Sequence, residues 1–120
     1  MTQTATPSRY TLTAALPYTN GPNRIGHLAG VYDPAAICAR FLRGIGVGVI
    51  FICGSDEHGV AIPMKAKKEG VSPQVIIDKY HGIIKQAFSD FGISFDNYSR
   101  TSAAVHHETA SENLRKFYEK

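Results

Sequence analysis

Several features that would assign the chain at once are missing from it. Its 120 residues hold no apolar run of the roughly 18 residues needed to cross a bilayer. Residues 1–9 (MTQTATPSR) are polar, carry no apolar signal core and are expected to fray, so the expected location is the cytoplasm. Two cysteines, Cys38 and Cys53, are too few for a disulfide framework. Neither sign of charge dominates: 13 Lys and Arg against 10 Asp and Glu leave a net charge of +3. That tolerates an anionic ligand but is too weak to argue for nucleic acid by itself. Internal repeats, low-complexity tracts and flexible linkers are absent. Two phosphate-binding fingerprints are absent as well. No G-x-x-x-x-G-K-[ST] loop occurs, and the glycines of GIGVG follow a helical pattern instead of a strand, the wrong context for G-x-G-x-x-G.

What is present is ordinary globular material, 43% apolar and 19% charged, sufficient for one domain. Tyr10 to Leu16 alternates, predicting a short strand with Tyr10, Leu12, Ala14 and Leu16 on the better-buried face. Pro17 ends it, and Pro17 to His27 (PYTNGPNRIGH) reads as a sharply turning loop. Leu28, Val31, Ala35, Cys38 and Leu42 recur at helical spacing. Pro34 predicts either a kink there or a later start with Asp33 as N-cap. After three glycines, Val49 to Cys53 is a continuous apolar run, expected to form a strand buried on both faces. Strand, helix, strand is the βαβ unit and implies parallel pairing with a right-handed crossover. A short helix over 60–68 ends near Gly70. Ser72 and Pro73 then open a longer helix carrying Val75, Ile76, Lys79, Ile83, Ala87 and Phe91. Ile93 to Thr101 is expected to be a third strand, and 105–120 a helix. Cys38 and Cys53 read as small core residues, and Lys65, Lys67 and Lys68 as a solvated helix end. His106 and His107 read as a solvated face, since adjacent helical residues point apart.

Ligands of open parallel sheets bind at the carboxyl ends of the strands. Both polar loops, Pro17–His27 and Gly54–Gly59 (GSDEHG), follow strands and are expected on that edge. The first runs into a helix N-terminus, whose free N–H groups and positive dipole end favour phosphate. Gly26 permits close approach of the backbone, while Arg24 and His27 offer donors to phosphate oxygens. Asp56, Glu57 and His58 are expected to face this anion site. A carboxylate there suits an α-ammonium group or a ribose hydroxyl. Plainer readings stand beside these: His27 as a helix-start residue, Asp56 as a cap of the next helix, Tyr18 as simple packing.

ALPYTNGPNRIGHLAG (15–30) and FICGSDEHG (51–59) resemble two conserved blocks of the methionyl-tRNA synthetases, class I aminoacyl-tRNA synthetases. KAKKEGVSP, YHGIIKQAFSDFGISFDNYSRT and HHETA resemble the bacterial members, so the likeness covers 10–120. It implies an α/β chain, a partial Rossmann-like parallel sheet with crossover helices. Residues 10–102 would be the first half of the catalytic domain and 103–120 the start of a connective insertion. It implies ATP, with Mg2+, as the reactant that converts methionine to methionyl-adenylate, and tRNA(Met) as the acceptor. Arg24-Ile25-Gly26-His27 stands where the family has its HIGH tetrapeptide, which handles the ATP phosphates. Arg24 replaces the first histidine and keeps hydrogen-bond donors. Leu16 and Tyr18 match positions lining the methionine pocket, Asp56 the carboxylate that holds the substrate ammonium, and Asn20 and His58 the flanking motif positions, Asn20 on the ATP side and His58 on the methionine side.

The family's KMSKS loop, its four-cysteine zinc knuckle and its anticodon-binding domain do not occur in these residues. Zinc is therefore expected only in the insertion beyond them. Alone, the chain is expected to be inactive and to associate with itself through an exposed sheet edge. Two rivals remain: a small nucleotidyltransferase using a HIGH-like motif, opposed by GSDEHG and the Leu16–Tyr18 match, and a non-catalytic nucleotide-binding module, favoured by Arg24.

Overall fold

β-Branched and aromatic residues dominate the two apolar segments before residue 56, and both become strands. The computed structural model describes residues 9–119. The expected frayed start therefore lies outside the described residues, except for Arg9, which opens the first strand, β1 (Arg9–Thr13). The chain continues through α1 (Ile25–His27), a π-helical turn (Leu28–Tyr32) and α2 (Asp33–Gly44) to β2 (Gly48–Ser55). Then come α3 (Ala61–Glu69), α4 (Pro73–Asp90), β3 (Asn97–Arg100) and α5 (Ala104–Tyr118). β2 lies between β1 and β3, and both pairings are parallel. The expected α/β fold is therefore present, although β1 stops at Thr13 and β3 is confined to 97–100.

Helix boundaries follow local chemistry. Ser72 accepts a hydrogen bond from the Val75 N–H and caps α4, with Pro73 as its first residue. Gly70 ends α3 at φ +70°, where a side chain would be disfavoured. The region of Pro34 departs from the expected later start with Asp33 as N-cap. Residues 25–44 run as one continuous helical segment, and Asp33 is helical, its N–H donating to Leu28 O across a π turn. The missing N–H of Pro34 thus falls where the helical register changes. The extra residue rotates the buried stripe to Leu28, Tyr32, Ala36 and Ala39. Val31 and Cys38 turn outward, so Cys38 is not the core residue expected. In α4 the buried stripe is Ile76, Ile77, Tyr80, Ile84 and Phe88, leaving Val75, Ile83 and Phe91 exposed.

The second correction concerns β2. Leu12 pairs with Phe51 and Tyr98 with Cys53, so these residues share one sheet face. α2 and α4 both cover that face, and Tyr32 meets Phe88 edge-on with ring centroids 4.7 Å apart. Strand order 1-2-3 with crossovers of one hand puts both helical layers on the same side. Ile50, on the opposite face, is 58% exposed, so β2 is buried on one face and not two. Burial of the covered face pushes the Tyr32 hydroxyl up to about 12 and the Cys53 thiol up to about 11.

One buried polar cluster ties the sheet to α4. Glu57, two residues past the end of β2, has a fully buried side chain. It accepts hydrogen bonds from Ser55 Oγ (2.7 Å), from Arg100 Nε (2.8 and 2.9 Å) and from Ser102 Oγ. Arg100 also reaches Asp78 of α4 at 2.5 Å, and His81 Nδ1 lies 2.8 Å from Ser55 Oγ. Burial raises the Glu57 pKa, but donors from Ser102, Ser55 and Arg100 together with the arginine charge outweigh it and hold the carboxyl below its usual range. Burial, helped by the Arg100 charge, depresses His81.

Both shifts destabilise the fold in acid. Between its folded pKa and the ordinary value, each group is protonated only in the unfolded chain, so the unfolded state binds more protons and stability falls as pH drops. The loss begins below 6.5 for His81 and below 4.5 for Glu57. Thermal melts between about pH 8 and pH 2 should show the midpoint falling in these two stages, the first suppressed in His81→Gln. A midpoint flat through both windows would contradict the cluster.

Candidate active site

Beyond Thr13, β1 keeps company with β2 through the loops themselves. Asp56 N–H donates to Pro17 O at 2.8 Å, and Thr19 N–H and Oγ1 donate to Asp56 O at 3.0 and 2.9 Å. Tyr18 and Asp56 thereby form a parallel bridge, one residue past the end of β2 and five past the end of β1, and Thr19 is fully buried beside it. The two loops therefore lie side by side on the carboxyl edge. Side chains add to the join. A Cβ built on Gly59 (φ +129°) would sit 2.6 Å from Tyr18 Oη, so the Tyr18 ring rests on a position that only glycine leaves open.

A cleft of about 640 Å³ opens in front of the first loop. Leu16, Tyr18, Asn20, Arg24 and His27 all line it, which unites five of the residues singled out from the sequence. The Arg24 N–H donates to His27 Nδ1 at 3.4 Å across the first helical turn. With Nδ1 accepting, the imidazole proton sits on Nε2, at the opposite side of the ring. The N–H groups of Ile25 and Gly26 have no intrahelical partner at this end. Gly26 is exposed, with no atom within 4 Å of the place a Cβ would take, and it lies outside the cleft wall.

Asp56 is not itself part of the cleft wall; its bridge pairs it with Tyr18, which is. One carboxylate oxygen takes the His58 N–H at 3.3 Å, and α3 starts later, with Val60 at its cap position, so Asp56 does not cap that helix. His58 is directed elsewhere: its Nε2 is 3.2 Å from Thr101 O and its ring centroid 5.5 Å from that of His107. Glu57, expected to face the anion site with its neighbours, points into the protein interior instead, because Arg100 and two serine hydroxyls compensate its charge there.

Two contributors were missed in the sequence. Asn23 Nδ2 is a buried donor without a protein partner, and Asn23 lines the cleft. The loop's second asparagine was the available signal. Lys65 was expected on a solvated helix end; Lys67 and Lys68 are exposed in the last turn of α3, but Lys65 Nζ donates to Asn20 O at 2.8 Å and to the Tyr80 hydroxyl at 2.7 Å. It also lies 4.2 Å from the Tyr80 ring centroid, so it clamps the first loop to α3 and α4. Among the described residues, no group of three or more His, Cys, Asp or Glu is arranged to hold a metal. No described helix is long and apolar enough to cross a membrane.

Comparison with known proteins places this arrangement. The methionine–tRNA ligase of Flavobacterium johnsoniae is 71% identical over 117 residues, 98% of this chain and 16% of the relative. That of Cytophaga hutchinsonii is 66% identical over 113 residues, 94% of this chain and 16% of the relative. The chain thus spans about one-sixth of the length of these curated relatives. Among solved structures, Mycobacterium tuberculosis methionyl-tRNA synthetase in complex with methionyl-adenylate matches with a TM-score of 0.89 and 31% identity, over 92% of this chain and 22% of the other. The profile of the tRNA synthetases class I (M) matches residues 10–120, and with that match, on this two-loop sheet edge, the chain belongs to that family.

Proposed function

We propose that this chain is the part of a methionine–tRNA ligase that binds ATP and methionine and activates the amino acid as methionyl-adenylate, for transfer to tRNA(Met). The observation that carries the reading is the hydrogen-bonded joint between the two loops. It ties the loop that carries Asn23, Arg24 and His27 on the cleft wall to the loop that carries Asp56.

The chemistry follows from those groups. Methionine's carboxylate attacks the α-phosphorus and pyrophosphate leaves, so negative charge grows on phosphoryl oxygens. Donors at the helix start would meet that charge. His27 would donate through Nε2, and Arg24 would supply a permanent positive charge where the family tetrapeptide has histidine. Asp56 would take the α-ammonium, with Leu16 and Tyr18 against the thioether chain. Asn20 would border the nucleotide, with its carbonyl already held by Lys65. His58 would act from the far side of the second loop. Gly26 would contribute its backbone N–H alone. Mg2+ would arrive on the ATP phosphates. No covalent nucleophile is required.

The boundary near residue 103 is supported by α5, which has no buried residue and whose Phe117 is 80% exposed. We assign that helix to the beginning of an insertion, and the protein to the cytoplasm, where tRNA is charged. The exposed edges of the three-stranded sheet support self-association of the isolated chain. Light scattering at rising concentration should show species larger than the monomer; a monomer throughout would contradict it.

The activation step is tested in a chimera in which residues 10–120 replace the matching part of the Flavobacterium johnsoniae ligase. His27→Ala should slow methionine-dependent pyrophosphate exchange about a hundredfold or more, the loss of about 3 kcal/mol of charge stabilisation, with methionine affinity little changed. A rate within threefold of the parent would overturn the role of His27.

A further inference from the structure

Glu57 is unusual among the charged groups of this edge. Its carboxylate is fully buried, yet it belongs to the same short loop as Asp56 and His58, both of which keep side-chain surface toward solvent. Its partners come from three directions: Ser55 at the end of β2, Arg100 and Ser102 around the end of β3, and His81 of α4, whose Nδ1 lies 3.6 Å from Glu57 Oε1. Its N–H is held too, donating to Thr101 Oγ1 at 2.9 Å. Arg100 is itself fixed by Asp78, and His81 stacks on Tyr98 with ring centroids 5.2 Å apart. Glu57 therefore has almost no freedom to shift without breaking several bonds to charged or buried groups.

The consequence passes to its neighbour. A single peptide unit separates Glu57 from Asp56, whose own backbone is bonded to Pro17 and Thr19. Asp56 is thus held between the first loop on one side and the buried cluster on the other. By contrast, none of the cluster's hydrogen bonds reaches the helix start at Arg24–His27. The helix start and Asp56 are thus supported by different parts of the fold.

We propose that Glu57 is a positioning residue for the amino-acid half of the site, acting through its bonds to Arg100, Ser55 and Ser102 to fix the direction of the Asp56 carboxylate toward the substrate ammonium. This inference rests on the ligase reading above and deepens it. A misplacement of a binding group by about 1 Å is enough to lose most of its contribution, so a buried clamp behind Asp56 governs methionine and leaves ATP alone.

The test uses the same chimera and measures pyrophosphate exchange with methionine and ATP varied separately. Glu57→Gln keeps the shape but removes the charge, and should raise the methionine KM at least tenfold with the ATP KM within twofold. Arg100→Lys keeps the charge but loses the Nε donor that meets both carboxylate oxygens. It should raise the methionine KM several-fold, again with the ATP KM unchanged, and it carries the test should Glu57→Gln fail to fold. Either folded variant with a methionine KM within twofold of the parent, or with both KM values raised in parallel, overturns the proposal while leaving the ligase reading intact. A parent chimera with no methionine-dependent exchange overturns the reading itself, and this inference with it.

Discussion

Parallel strands are free to diverge once their ladder ends, and β1 ends at Thr13, four residues before Pro17. Here Pro17 cannot donate, but its carbonyl accepts from Asp56, and Thr19 then returns two hydrogen bonds to the Asp56 carbonyl. The pairing is thereby carried past the strand ends into the loops. Everything proposed for the site depends on this joint, which ties the loop leading to the helix start to the acidic turn. Three further contacts defend it. Lys65 clamps the first loop from α3, the Tyr18 ring lies over Gly59, and the Glu57 cluster anchors the second loop from behind.

Much of this was legible in the residues. Strand–helix–strand periodicity gave the parallel unit, and the Ser72-Pro73 start and glycine stops gave the helix ends, because caps and left-handed turns are local chemistry. The two loops were placed on one edge by the general rule for parallel sheets, and five expected residues do share a cleft. What could not be read were the long-range partners. Nothing within GSDEHG distinguishes Asp56, which pairs with Tyr18 of the first loop, from Glu57, which turns inward; the difference is Arg100, 43 residues away. Lys65 looked like one of three equivalent lysines until α4 brought Tyr80 beside it. The π turn, likewise, shifted the buried stripe of α2 by an amount that a regular helical period cannot anticipate.

The one-sided sheet has a comparable origin. An apolar run such as Val49–Cys53 reports that a strand is central, not which face is covered. With strands in the order 1-2-3, both crossovers fall on the Phe51 face and leave Ile50 bare. In relatives about six times longer, further chain is available to that face, and the present segment supplies the loops that the proposed chemistry needs.

The central claim is that two loops act as one site. Amide chemical shifts of the chain, recorded while a non-hydrolysable methionyl-adenylate mimic is added, test it most directly. The account predicts that Tyr18, Asn20, the Arg24–His27 turn and Asp56 move together, with one shared affinity. Perturbations confined to a single loop, or centred on a different edge of the sheet, would contradict it.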